Sequence, residues 1–270
     1  MMRHQSFSII ILFFSGISIA YIIYPLATIL AYTEPRTILE SLTRQDLWDA
    51  FLLSLTSATI STLLLILFGV PLAYLLARYT GSRGRFILRV IIIIPLVLPP
   101  LASGALLLGV FGPNSILVQH FSGIEFTQSI LGVIIAQTYV ASPFMILASQ
   151  AAFESMNETY EKVARSLGKS KLEIFFLISL PLAKTGIIIG IIMSWVRAVG
   201  ELGATMMMAY NPHTISIQIF EDNAIGGLEQ AVSGIILLLL LAVMIMVVFY
   251  ISGTKWHEVI SLRRSENSKS

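Results

Sequence analysis

The sequence predicts an all-α, polytopic membrane protein with six transmembrane helices, and three observations support this prediction. Apolar residues make up 56% of the 270 residues and charged residues only 12%, whereas charged residues average about 25% in soluble domains. Uncharged, mostly apolar stretches recur along the chain, each with the roughly 20 residues that a helix needs to cross the hydrocarbon core of a bilayer. Stretches of this length exclude the short alternating strands of a membrane barrel.

The composition also excludes several functional classes. A disordered chain would combine low hydrophobicity with high charge, and a net charge of +2 gives no footprint for a nucleic-acid partner. Cysteine is absent, which excludes disulfides, thiolate metal sites and a cysteine nucleophile. The four histidines lack the spacing of metal ligands, and the chain contains no Gly-rich phosphate loop with the Walker pattern. We therefore expect no metal ion and no cofactor.

Six spans are predicted in order along the chain, near residues 7–31, 50–77, 90–111, 129–152, 185–209 and 231–251. The first is too long for the core of a cleaved signal sequence, so we expect a retained helix. Three prolines, Pro95, Pro99 and Pro100, are expected to break the third span, either as a plain kink or as a bend that lines the transport path. The fifth span is interrupted only by Arg197 and Glu201.

The positions of lysine and arginine predict the orientation of these spans. Fourteen of the seventeen basic residues lie on the side of the amino terminus, two lie on the other side, and Arg197 lies within a span. Because cytoplasmic loops carry the excess of basic residues, both termini are predicted in the cytoplasm of a cell-membrane protein. The chain then divides into an N-terminal helix with an external loop (1–48), a transmembrane domain (49–251) and a polar cytoplasmic tail (252–270).

The cytoplasmic segment after the fourth span, residues 154–186, is predicted to form an elbow of two short helices joined by Gly168. Glycine tolerates the left-handed conformation that ends many helices, so Gly168 is expected to end the first. The second is predicted over residues 170–176, and Pro181 is expected to start the fifth span. On physical grounds alone, the elbow either docks a partner or lies on the lipid headgroups.

This elbow resembles the "EAA" loop of permease subunits of ABC importers, which has the pattern Glu-Ala-Ala, three residues, Gly, nine residues, Ile-x-Leu-Pro. Lys162 and Val163 stand where Glu and Ala are usual, and Glu161 stands one position earlier, which leaves a charge-specific role open. The resemblance implies that the elbow docks into a cytoplasmic ATPase subunit and passes its closure to the fifth span. The residues concerned are Glu161, Lys162, Val163, Ala164, Gly168, Ile178, Leu180 and Pro181.

Two charged residues lie inside the fifth predicted span. A charge at a helix centre costs about 2.5–3.5 kcal/mol on insertion scales, but Arg197 and Glu201 are four residues apart and can neutralise each other on one face. Gly200 and Gly203 allow close helix packing. Two interpretations stay open. The pair joins two helices, or it lines the transport path or its gate, and we prefer the second.

The same stretch resembles the fifth helix of the molybdate, tungstate and sulfate branch of ABC permeases, which has the pattern A-R-A-x-G-E-x-G-A. The match runs from Val196 to Ala204, and the following residues look more like those of archaeal-type tungstate/molybdate permeases than those of sulfate permeases. The resemblance covers roughly residues 50–251. It implies the type I ABC importer permease fold and import of tungstate or molybdate, with sulfate as an alternative.

The resemblance also implies partners. Each chain offers one elbow whereas ABC ATPases work in pairs, so we expect a homodimer with two cytoplasmic ATPase subunits and one external binding protein, embedded in membrane lipid. Loops predicted to lie outside carry more acidic than basic residues. An acidic mouth repels a free dianion, which favours delivery by a closed binding protein.

Three functional classes compete for this sequence: an ABC importer permease, a self-contained secondary transporter or channel, and a polytopic membrane enzyme. An enzyme would need a cluster of His, Asp or Glu near one membrane face, and the sequence indicates none. A secondary transporter often contains an internal repeat with paired broken helices, and the sequence has no convincing repeat. We therefore predict the permease, without catalytic residues of its own and with ATP hydrolysis in a separate subunit.

Overall fold

The computed structural model describes residues 2–32, 34, 36, 39, 43–121 and 123–267. Within these residues six helices are long and apolar enough to cross a membrane, which confirms the predicted all-α fold with six spans. The described part of the chain contains no strand. The candidate spans are Ile11–Ile29, Gln45–Arg78, Pro100–His120, Ile130–Ser155, Lys171–Val199 and Ile215–Val247.

The helices are labelled α1 to α12 in chain order. Two π-helical turns continue the helical path, one between α2 and α3 and one between α9 and α10, and α12 changes direction at Gly227, where φ is +69°. The bounds are α1 Met2–Tyr32, α2 Gln45–Leu64, π turn Leu65–Gly69, α3 Val70–Arg78, α4 Ser82–Val97, α5 Pro100–Phe111, α6 Ile116–His120, α7 Ile130–Ser155, α8 Thr159–Ser166, α9 Lys171–Ile174, π turn Phe175–Ser179, α10 Leu180–Val199, α11 Gly203–Met208 and α12 Ile215–Asn267.

The chain forms two compact units. One consists of Met1–Gln45 with Ile219–Ser270, and the other of Asp46–Gln218. The second unit contains both the elbow and the Arg197–Glu201 pair, so every side chain of interest below belongs to one body. The domain boundaries predicted near residues 48 and 251 stay a prediction.

Helix α7 is central in the second unit, where it packs against α3, α4, α10 and α11. Its contact with α10 depends on small residues. A Cβ added at Gly186 would overlap the Cβ of Ala152, and one added at Gly190 would lie 3.3 Å from the Cβ of Ala148. Because lipid provides no hydrophobic drive for helix association, such close backbone approach is what holds membrane helices together.

The third predicted span is broken where the prolines indicated, but its predicted bounds are wrong. Helix α4 ends at Val97, Leu98 is extended with ψ 140°, and α5 begins at Pro100. Proline has no N–H to donate and forces the residue before it out of the helical region, so the consecutive Pro99 and Pro100 end one helix and start the next. Pro95 stays inside α4. The span is therefore Pro100–His120 rather than residues 90–111.

The fifth predicted span is also displaced, and Pro181 lies at the start of its α-helical part, α10, rather than at the start of the whole helical path. The helical path runs from Lys171 to Val199, ten residues or more from the predicted limits of 185 and 209. In the π turn the N–H of Leu180 donates to the carbonyl of Phe175. The wider turn passes the chain into α10 without interruption, and Pro181, which has no N–H, is accommodated in the first turn of α10.

Candidate functional site

The elbow is formed by α8 and α9, and its bend is fixed by Gly168. Gly168 has φ +82°, a left-handed conformation that glycine adopts without a steric penalty. The N–H of Gly168 donates to the carbonyl of Arg165 at 3.0 Å, and that of Lys169 donates to the carbonyl of Ala164 at 3.1 Å. These two bonds are the Schellman pattern that satisfies the last carbonyls of a helix. The chain thus turns at the position expected from the sequence.

Helix α9 begins with a capping box. The Ser170 hydroxyl accepts the N–H of Glu173 at 3.3 Å, and the Glu173 carboxylate accepts the N–H of Ser170 at 2.8 Å. The Glu173 carboxylate also accepts a hydrogen bond from Lys169 at 2.7 Å. Reciprocal capping of this kind fixes the start of a helix. Since α9 continues through the π turn into α10, the elbow and the fifth span share one helical path.

The exposed surface of the elbow includes several large apolar side chains. Five large side chains with more than half of their surface exposed lie on α8, on α9 and next to them: Tyr160, Val163, Leu167, Leu172 and Phe176. Exposed apolar side chains in contiguous groups mark surfaces that are covered by a partner or by lipid. The elbow therefore presents a surface suited to docking.

The predicted elbow residues divide into exposed positions, buried positions, and positions at the bend or on the helical path that follows it. Lys162 and Val163 are exposed, and the Lys162 ammonium, 3.1 Å from the Glu158 carboxylate, holds the pKa of that carboxyl below its usual value. Glu161 and Ala164, in contrast, are buried. The remaining positions, Gly168, Ile178, Leu180 and Pro181, lie at the bend or along the helical path above it.

Glu161 contacts two residues that the sequence analysis did not single out. The Nε–H of Arg78 donates to both carboxylate oxygens at 3.1 Å, and the Ser179 hydroxyl donates to one of them at 2.7 Å. Arg78 directly follows the predicted apolar span 50–77 and is the last residue of α3. A buried carboxylate requires an opposite charge, but which arginine supplies it depends on the tertiary fold.

The second predicted site lies where α10 ends. Arg197 is in the last turn of α10, whereas Glu201 lies in the break between α10 and α11. The expectation that both residues lie on one helix face is therefore wrong. The ion pair still forms between Nη1 of Arg197 and Oε2 of Glu201. The other carboxylate oxygen accepts the N–H of Ala204 at 2.7 Å, which satisfies a free donor at the start of α11.

The two partners of this pair differ in exposure. The side chain of Glu201 is 1% exposed and that of Arg197 is 27% exposed. The carboxylate is thus fixed inside the protein, while about a quarter of the arginine side-chain surface is exposed.

Gly203 and Gly104 allow α11 to lie directly against α5. A Cβ at Gly203 would lie 2.7 Å from the Cβ of Pro100, and one at Gly104 would lie 2.6 Å from the Cβ of Met207. Cβ atoms in proteins essentially never approach another non-bonded carbon atom this closely. The break after α10 is therefore packed against the proline break before α5. Ala204 and Met208 extend this contact into a buried cluster with Leu107, Ala136 and Val140.

Gly104→Ala is expected to destabilise the protein, because the added methyl group would overlap Met207 and Ala204. Overpacking of this kind costs about 1–3 kcal/mol. Gly109→Ala is the matched control on the same helix, since no atom lies within 4 Å of the added carbon. Alanine there is expected to stabilise the helix by about 0.5–1 kcal/mol. Thermal unfolding of both variants in detergent measures the difference, and equal midpoints would contradict the close packing of α5 and α11.

Neither part of the site provides a metal centre. Within the described ranges, His, Asp and Glu side chains form no group of three or more that could hold a metal ion. The site consists of the elbow at the base of the fifth span and a charged break at the end of that span.

Comparison with known proteins identifies a family of transport components and named permeases that this chain resembles. Residues 69–263 match the family described as the inner membrane component of binding-protein-dependent transport systems. A protein of Haloferax volcanii named as a probable molybdenum ABC transporter permease is 37% identical over 243 residues, which cover 90% of this chain and 89% of that protein. The molybdate/tungstate transport system permease protein of Pyrococcus abyssi is 41% identical over 168 residues, which cover 62% of this chain and 63% of that protein.

A solved structure has the same fold. One chain of a bacterial ABC transporter involved in the import of the acidic polysaccharide alginate matches with a TM-score of 0.65, over 93% of this chain and 96% of that chain. The sequence identity is 16%, so this likeness concerns the fold alone.

Proposed function

The chain belongs to the family of inner membrane components of binding-protein-dependent transport systems, and from this premise we propose that it imports a tetrahedral oxyanion, molybdate or tungstate, in an ATP-driven complex. Its six apolar helices make it a multi-pass membrane permease. The proposal has three parts: the coupling of the elbow to ATP hydrolysis, the composition of the complex, and the substrate.

The observation that carries the proposal is the continuity of the elbow with the fifth span. The exposed apolar face of α8 and α9 offers a docking surface, and the helical path from Lys171 to Val199 leads from that surface to Arg197. A helix transmits displacement along its axis because its backbone bonds are all internal. Movement of a docked ATPase therefore reaches the charged break through one stiff element.

We propose a homodimer with two cytoplasmic ATPase subunits and one external binding protein. A single elbow per chain supports this stoichiometry, because ABC ATPases act in pairs. ATP hydrolysis belongs to the separate subunits. The excess of lysine and arginine in the loops on one side of the spans supports a cytoplasmic location for both termini.

The relatives named above support molybdate or tungstate as the substrate. Both are tetrahedral dianions, and Arg197 offers a partly exposed positive charge near the end of the fifth span. The acidic external loops would repel a free dianion, which favours delivery by a binding protein. Selection between the two oxyanions, and against sulfate, then belongs to that partner.

Two measurements test this proposal. Mass determination of the detergent-purified complex is expected to give two copies of this chain with two ATPase subunits, and titration calorimetry of the associated binding protein is expected to show tight binding of molybdate or tungstate. A monomer that transports alone in vesicles would contradict the composition and indicate a secondary transporter. A binding protein that prefers sulfate would contradict the proposed substrate.

A further inference from the structure

The Glu161 carboxylate is buried although it belongs to the elbow. Its side chain is 6% exposed, as is that of Arg78, the last residue of α3. The two residues are 83 positions apart in the sequence, so their ion pair joins the elbow to the cytoplasmic end of the second span. The elbow is therefore attached to two spans, to the fifth by the chain itself and to the second by this pair.

The same carboxylate also contacts the base of the fifth span. Ser179, the last residue of the second π turn, donates its hydroxyl proton to Glu161, and its oxygen lies 3.5 Å from that of Tyr74 in α3. Arg78 donates a further hydrogen bond to the carbonyl of Met156, which lies between α7 and α8, at 3.3 Å. One carboxylate thus joins the elbow, the end of α3 and the π turn.

Aromatic side chains stiffen the surroundings of this network. The ring of Tyr74 lies 5.1 Å from that of Phe153 and 4.9 Å from that of Phe175, measured between centroids. Phe153 belongs to α7, and Phe175 is the first residue of the π turn. Since packed aromatic groups occupy well-defined positions, the elbow cannot move without also moving the rings and helices around it.

Burying a charged pair contributes little to stability, because the loss of hydration offsets most of the attraction. Separating such a pair leaves an uncompensated buried charge, so the two residues stay together when either of them moves. The exposed Lys162–Glu158 pair on the outer side of the same helix imposes no such constraint. The buried Arg78–Glu161 pair is therefore suited to transmit movement of the elbow rather than to increase the stability of the protein.

We propose that Arg78 is a positioning residue of the transport cycle, through which movement of the elbow reaches the second span at the same time as the fifth. Glu161 is the shared contact, and Ser179 keeps its carboxylate aligned with both. This inference rests on the proposed function of the elbow and adds a second route from it. The two spans then move as one body when the ATPase subunits close.

Arg78→Gln tests this inference in the complete complex, reconstituted into vesicles with its ATPase and binding protein. The amount of oxyanion imported per ATP hydrolysed is expected to fall about tenfold, within the range usual for coupling between two sites. Complex composition and basal ATP hydrolysis are expected to stay unchanged. Arg78→Lys, which retains the charge, is expected to give an intermediate ratio.

Arg89→Gln is the matched control, because it removes another arginine–glutamate pair between helices. Arg89 lies 2.6 Å from Glu154 and has no contact with Glu161 among the described bonds. We expect the ratio of import to hydrolysis to be unchanged in this variant. A purely structural role of Arg78 would lower the thermal midpoint without changing that ratio.

The Arg78→Gln/Glu161→Gln double variant decides the outcome if the single variant does not assemble, because it leaves no unpaired buried charge. We expect it to assemble and to lose coupling. A wild-type ratio in either variant, or a double variant that cannot assemble, would overturn the role of Arg78. If Gly168→Val uncouples the complex while Arg78→Gln does not, only this inference fails. If the unchanged complex imports no oxyanion with ATP, the proposed function fails and this inference fails with it.

Discussion

The Arg197→Gln/Glu201→Gln double variant is expected to assemble and to import oxyanion at less than about one tenth of the unchanged rate, a change of about 1.4 kcal/mol or more in the barrier. Removing both charges leaves neither partner of this pair as an unpaired ion, and the amide oxygen of the glutamine introduced in place of Glu201 can still accept the N–H of Ala204. What is lost is the guanidinium that is proposed to contact the passing dianion. Uptake in vesicles, normalised to assembled complex, measures the effect.

The single variants are expected to differ in stability because the two partners differ in burial. Arg197→Gln leaves the carboxylate of Glu201, 1% exposed, without a counter-charge, and an unpaired buried charge costs about 3–5 kcal/mol. Glu201→Gln leaves an unpaired charge on a side chain that is 27% exposed, so the charge is less deeply buried. Thermal midpoints in detergent are therefore expected to be lowest for Arg197→Gln and to recover in the double variant.

The Arg89→Gln/Glu154→Gln double variant is the control for these measurements, because it removes ion pairs of the same residue types away from the break, those of Glu154 with Arg89 at 2.6 Å and with Arg85 at 3.6 Å. We expect it to retain uptake. Near-normal uptake by the Arg197 and Glu201 double variant would reject a path role for Arg197. The pair would then serve only to join α10 to the start of α11.

Gly168→Val is expected to uncouple ATP hydrolysis from transport while membrane insertion stays normal. Gly168 has φ +82°, and a β-branched residue is strongly disfavoured in that region, by roughly 1–2 kcal/mol or more. No atom lies within 4 Å of an added Cβ, so the effect comes from the backbone rather than from a clash. We expect the elbow to change its angle and import to fall about tenfold.

Gly123→Val is the matched control for Gly168→Val. Gly123 has φ +109° and also has no atom within 4 Å of an added Cβ, but it lies in the loop between the third and fourth spans. The variant therefore introduces similar backbone strain at a site remote in sequence from the elbow. Unchanged coupling in Gly168→Val, or equal losses in both variants, would count against the elbow as the coupling element.

The number of spans could be predicted from composition because the physical requirement is simple. A helix must cover the hydrocarbon core with apolar residues, and six stretches do so. The ends of the spans could not be predicted in the same way. Pro99 and Pro100 separate α4 from α5 within the third predicted span. Pro181, in contrast, lies in a helical path that continues without a break from the π turn before it. The sequence alone does not distinguish these two results.

The site was predicted in outline but not in its contacts. The conformation of Gly168 follows from a local rule, since few other residues adopt positive φ. The pairing of Glu161 with Arg78 depends on two helices 83 residues apart meeting in space. The spacing of Arg197 and Glu201 correctly predicted the ion pair. The same spacing implied a continuous helix, which is wrong because Glu201 lies outside α10 and caps α11.

ATP-driven uptake by the reconstituted complex tests the central claim most directly. Vesicles containing this chain with its ATPase subunit are supplied with the binding protein outside, labelled molybdate or tungstate outside, and ATP inside. We predict that accumulation of the oxyanion requires this chain, its ATPase subunit, the binding protein and ATP, and that it stops when the binding protein or ATP is omitted. Accumulation by this chain alone, driven by an ion gradient and independent of ATP, would contradict the claim.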